Sequence, residues 1–62
     1  MEVKLQIYQA KSGQWAGVFY GLPADGVEGV GVELGRVVGC SSPDEVLEAV
    51  GEMYEVVEVK TV

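Results

Sequence analysis

The sequence predicts an α+β domain, an antiparallel sheet of three to four strands carrying one helix on one face, in the order β-β-β-α-β. Two stretches alternate between apolar and polar residues, which is the pattern of a half-buried strand: Val3 to Tyr8 near the start and Val56 to Val62 at the end, where Val57 and Val59 oppose Glu58 and Lys60. Only one stretch, Ser42 to Tyr54, repeats its apolar residues at helical spacing. Turn-forming residues separate these segments at short intervals, and no linker, internal repeat or low-complexity segment divides residues 1–62, which read as a single small domain.

The first strand sets Val3, Leu5 and Ile7 on one face and Lys4, Gln6 and Tyr8 on the other. Ala10-Lys11-Ser12-Gly13-Gln14 is a short polar loop whose glycine can take positive φ, so it turns the chain into an antiparallel hairpin. Trp15 to Tyr20 forms the second strand. It is apolar on both sides: Trp15, Gly17 and Phe19 point one way, Ala16, Val18 and Tyr20 the other. One helix covers one face, so Ala16, Val18 and Tyr20 are expected to meet a second subunit or another partner.

Gly21 to Gly26 is a turn, since Pro23 cannot donate to a ladder and Asp25-Gly26 is common turn chemistry. Val27 to Gly39 admits two readings. Val30, Val32, Leu34 and Val38 at even positions favour one bent or bulged strand from about Val30 to Val38, whereas glycines at 29, 31, 35 and 39 allow a hairpin turning near Glu33-Leu34-Gly35. The helix then opens on a capping box: Ser42 accepts from the Glu45 N–H, the Glu45 side chain reaches back to Ser42, and Pro43 occupies the first turn. Val46, Leu47, Val50, Met53 and Tyr54 fall on its packing face; Asp44, Glu45, Glu48, Glu52 and Glu55 gather on the other. In the last strand Val57 and Val59 oppose Glu58 and Lys60.

Composition narrows the function classes. A chain of 62 residues buries only about 60% of the surface its unfolded form exposes and is marginal alone. One cysteine closes no internal disulfide and there is no histidine, so self-association, as a homodimer, is the expected aid. A net charge of −6 repels phosphate, and the basic residues Lys4, Lys11, Arg36 and Lys60 are scattered, which argues against direct nucleic-acid binding. Apolar runs are too short to span a bilayer and the N-terminus does not read as a signal peptide, so a cytoplasmic location is expected.

The chemical sites are few. Gly29-Val30-Gly31 with Gly35 lacks the spacing and following helix of a dinucleotide loop, and turn or bulge glycines explain it. Cys40-Ser41-Ser42 precedes a helix N-terminus, where a thiol is activated and an anion can sit, but no histidine serves as base and a small core cysteine accounts for the residue. Acidic residues between Asp25 and Glu33 show no calcium-loop spacing, and solvated surface explains them. The acidic helix face is less easily explained, because Glu52 and Glu55 carry negative charge toward the end of the helix where the dipole disfavours it.

Gly13-Gln14-Trp15 entering a strand, Leu22-Pro23 ending it, and Ser42-Pro43-Asp44-Glu45-Val46 opening a helix together resemble the small HicB-like antitoxin domains. Ala24 and Val46 stand where that pattern has Gly and Ala, and the interval from Pro23 to Ser42 is longer than the pattern has. The resemblance implies a β-β-β-α-β core and an acidic, dimeric or larger protein that neutralises a small basic RNA-cleaving toxin.

These readings converge on a non-enzymatic protein-interaction module, antitoxin-like, without a cofactor or metal. It self-associates through Ala16, Val18 and Tyr20 and meets a small basic protein through Glu48, Glu52 and Glu55. A small ligand- or metal-binding protein, using the Asp25 to Glu33 loop or the Cys40 to Ser42 helix start, is the alternative, and a purely structural small domain a third.

Overall fold

A computed structural model describes residues 1–62, and its element order is β1 (Glu2–Gln9), β2 (Trp15–Gly21), β3 (Glu33–Cys40), α1 (Pro43–Gly51) and β4 (Glu55–Thr61). The strands form one sheet in the order β3-β2-β1-β4, with α1 packed on one face. The fold is α+β in the expected β-β-β-α-β order.

β1 and β2 form the expected hairpin, running from Val3 opposite Gly21 to Gln9 opposite Trp15. Its loop closes through Ala10 N–H to the Gln14 carbonyl at 2.7 Å and Gly13 N–H to the Ala10 carbonyl at 2.9 Å. β3 is antiparallel to β2, but β4 lies parallel to β1, so the sheet is mixed rather than wholly antiparallel. The cause is the crossover. α1 leaves the end of β3 and carries the chain across β2 and β1 to the far edge, where the strand that follows must run in the direction of β3 and β1.

The stretch from Val27 to Gly39 is neither of its two sequence readings in full. β3 begins at Glu33, not near Val30, and extends to Cys40, and Leu34 lies within the strand rather than at a hairpin turn. Residues 22–32 form a connection that turns at Ala24 to Val27 (Val27 N–H to the Ala24 carbonyl, 3.0 Å) and rejoins β2 through Gly31 and Val32 at Gly21. The pairing of β3 with β2 shifts register twice, between Trp15 and Gly17 and between Phe19 and Tyr20. Glycine-rich chain has little side-chain surface to pack on a sheet, so beyond the Gly31 and Val32 bonds to Gly21 the regular ladder begins where Glu33 meets Tyr20.

The core lies between sheet and helix. Val3, Leu5 and Ile7 from β1, Phe19 from β2, Cys40 from β3, and Val46 and Val50 from α1 are buried together, with Trp15, Val37, Tyr54 and Val56 packed at its margin. Two glycines let these parts approach. A Cβ at Gly17 would fall 2.5 Å from Val46 Cγ1 and 3.0 Å from Leu5 Cδ1, so α1 rests directly on the β2 backbone. At Gly35 a Cβ would lie 2.8 Å from Phe19 Cζ, because that ring folds over the neighbouring strand. Phe19 also meets Tyr54, with ring centroids 5.1 Å apart and planes tilted by 41°.

Helix α1 is shorter than its apolar spacing predicts. The Glu52 N–H still reaches the Glu48 carbonyl at 3.1 Å, but Met53 and Tyr54 both turn their N–H groups to Val50 and leave the helix. Of the five expected packing residues, Val46 and Val50 are wholly buried and Tyr54 half-buried, whereas Leu47 and Met53 are 38% and 64% exposed. In β4 the pairing with β1 skips a residue between Val56 and Glu58, so Val57 is a bulge position and Val59 alone of the two keeps register, opposite Leu5.

Candidate interaction surfaces

Two surfaces carry the residues that the sequence singles out. The first is the solvent side of α1. Ser42 adopts extended geometry, φ −155° and ψ 161°, and its Oγ accepts the Glu45 N–H at 3.2 Å. Glu45 completes the start differently from a reciprocal capping box. Its carboxylate accepts from the Ser41 N–H at 3.4 Å and from the Ser41 hydroxyl, rather than from the Ser42 N–H. The cap thus anchors one end of the acidic face.

Beyond it, Glu45, Glu48 and Glu52 surround Ala49 in a shallow hollow open to solvent. The spacing of three and four residues places the carboxylates side by side on the helix, where like charges repel. Asp44 and Glu45 oppose the positive N-terminal end of the dipole, but the last turn contains no basic residue to offset Glu48 and Glu52. Glu55 does not belong to this stripe. It is the first residue of β4, and its N–H bonds the Met1 carbonyl at 3.0 Å, because the helix has already ended at Gly51. The structure therefore joins Glu48 and Glu52 with Glu45 and places Glu55 on the sheet.

The second surface is the sheet face turned away from α1. Ala16, Val18 and Tyr20 do project there, paired with Tyr8, Gln6 and Lys4 of β1, and Val18 also faces Arg36 of β3. Ala16 and Val18 are nonetheless only 2% and 7% exposed in the single chain, leaving Tyr20 as the one of the three with accessible surface. Their long cross-strand neighbours cover them: Gln6 and Tyr8 flank from one side and Arg36 from the other. Ala16 and Val18 are therefore buried without a second subunit.

Four charged residues on this face are paired within the chain. Lys4 Nζ lies 3.1 Å from Glu58 Oε2 and donates to the Gly29 carbonyl at 2.8 Å, which ties the connection between β2 and β3 to the sheet. Arg36 bonds Glu33 at 3.2 Å, and that hydrogen bond, with the carboxylate charge, raises the guanidinium pKa above its usual value.

The remaining candidates are structural in position. Cys40 is 5% exposed, within the core at the end of β3, where a small apolar side chain meets α1 and a reagent has no direct approach. Asp25 and Glu28 are exposed and Glu33 is engaged by Arg36. No group of three or more His, Cys, Asp or Glu side chains converges in a geometry that could hold a metal ion. No helix is long and apolar enough to cross a membrane.

Missing from the sequence reading are the edge positions of β3 and β4 and the cover supplied by Tyr8 and Arg36. Alternation identifies faces, but which strand is an edge depends on strand order. No family model, curated protein or solved structure matches the chain.

Proposed function

We propose that this protein is a non-enzymatic interaction module, antitoxin-like and cytoplasmic, that self-associates and presents the acidic side of α1 to a small basic protein. One observation carries the reading: Glu45, Glu48 and Glu52 crowd around Ala49 with no cation in the last helical turn. Adjacent carboxylates repel one another and Glu52 sits at the unfavourable end of the dipole, so Glu48 and Glu52, unlike Glu45, do not serve the helix. A basic surface docking on the hollow relieves both effects, and its attraction speeds and orients encounter.

The β-β-β-α-β order supports the likeness to the HicB-like domains, in which an acidic antitoxin neutralises a basic RNA-cleaving toxin. Glu48 and Glu52 are the contact residues in this reading, with Glu45 dividing its role between cap and surface. Glu55, displaced to β4, lies outside the helix contact.

The test looks beside this protein's gene for a small basic open reading frame and uses its product as the partner; a locus without one counts against the reading. The two are co-expressed, and affinity is measured by calorimetry at low and high salt. A complex whose affinity falls steeply with salt supports the reading. Absence of binding, or binding indifferent to salt, overturns it.

A further inference from the structure

We infer that the partner for self-association is a second copy of this chain added at the free edge of β4, antiparallel and centred on Val59, to make a continuous eight-stranded sheet. The inference rests on the reading of a self-associating module and assigns the surface it uses.

The backbone of β4 already faces outward at the right positions. Val62 donates its N–H to the Ile7 carbonyl at 2.8 Å, so Val62 turns its amide toward β1. With the period of two, Lys60 and Glu58 do the same, while Val59 and Thr61 direct N–H and C=O away from the sheet. Glu55, an odd-numbered residue that donates to the Met1 carbonyl, fits the same scheme once the bulge at Val57 has reversed the parity. Two copies related by a two-fold axis at Val59 therefore pair Val59 with its own equivalent through two main-chain hydrogen bonds.

Side-chain charge selects this register. An antiparallel pair centred on Val59 sets Glu58 opposite Lys60 of the partner subunit, and Lys60 opposite Glu58 of the partner subunit. Both pairs occupy non-hydrogen-bonded sites, where facing side chains come closest. Sliding the register one step either way, with both helices kept on the same face, sets Glu58 against Glu58 or Lys60 against Lys60. Each alternative brings like charges together across the edge. Lys60 makes no ion pair within its own chain and is free for this contact, whereas the Glu58 carboxylate, 3.1 Å from Lys4 Nζ, is shared between Lys4 and the incoming cation. Val59, 44% exposed in the single chain, closes against its equivalent on the helix side.

The other edge is poorly suited. β3 departs from regular pairing with β2 at two places, and Gly35 and Gly39 interrupt its side-chain surface. Bulged, glycine-broken strands resist addition of a further strand. In β4 the segment from Glu58 to Thr61 is regular against β1.

The test is the mass of the isolated protein by sedimentation and light scattering at micromolar to millimolar concentration, near physiological salt and without a basic partner. The wild type is expected to be a dimer. K60E leaves one sign of charge at both positions, as does E58K, so each alone is expected to weaken the dimer by about tenfold or more. Mixed in equal amounts, K60E and E58K are complementary and are expected to restore a heterodimer. V59P removes an N–H that points away from β1, which an edge strand tolerates, and is expected to give a folded monomer.

A monomeric wild type overturns the inference, as does a dimer that K60E and V59P both leave intact. If V59P fails to fold, K60E and its mixture with E58K decide the matter. Because no basic partner is present, failure here leaves the acidic helix surface untouched, and failure of partner binding leaves this result untouched.

Discussion

Gly17 and Val46 are in such close apposition that a single methyl group between them would lie 2.5 Å from Val46 Cγ1. The helix therefore rests directly on the backbone of β2 at this point, and that contact helps set which of its faces turns outward. Val46 and Val50 spend their whole surface on the core. Glu45, Glu48 and Glu52 are left facing solvent as a consequence of where those two valines point.

Gly17→Ala is expected to destabilise the domain by about 1–3 kcal/mol, since Val46 belongs to a packed core and can yield little. Chemical denaturation measures it. Combined with Val46→Ala, the loss should be smaller than the sum of the two single losses, because removing the valine methyls vacates the space the new Cβ needs. Strict additivity would mean that the helix does not rest on Gly17.

Phe19→Ala should be far more damaging. The ring covers Gly35, packs on Tyr54 and belongs to the buried cluster, so truncation costs about 3–5 kcal/mol. A small domain has little more than that in total. The variant is expected to lose its cooperative thermal transition, and a melting curve like that of wild type would contradict the packing described.

Ser42→Ala removes the oxygen that accepts the Glu45 N–H and should cost about 1 kcal/mol. The expected signature is a lower denaturation midpoint with an unchanged slope. Ser41→Ala should cost less, because the Glu45 carboxylate keeps the Ser41 N–H and is otherwise exposed to water.

How much of this was written in the chain depends on the range of the interaction. β1 and the start of α1 are legible because their signals are local: strict alternation from Val3 to Ile7, and Ser42-Pro43 with Glu45 three residues after the cap. The end of α1 was not, since Met53 and Tyr54 keep helical spacing but Tyr54 is drawn to Phe19, a contact between distant parts of the chain. The parallel placement of β4 and the bulge at Val57 likewise arise from strand order, which no periodicity encodes. For the surfaces, the acidic residues of α1 are readable as one face, but helical spacing continued past Gly51 also sweeps in Glu55, which lies on β4. Ala16 and Val18 looked exposed in β2 because their cover, Gln6, Tyr8 and Arg36, comes from other strands.

The central claim, that Glu48 and Glu52 serve recognition rather than the fold, is tested most directly by the double variant E48K/E52K, measured for both stability and affinity. Stability should stay level or rise by about 0.3–1 kcal/mol per substitution, because positive charge suits the C-terminal end of a helix and the carboxylate repulsion is gone. Affinity for a basic partner encoded beside this gene should fall by about a hundredfold, the loss of two opposed charge contacts of some 1.4 kcal/mol each. A variant that is less stable than wild type, or one that binds the basic protein as tightly, would contradict the account.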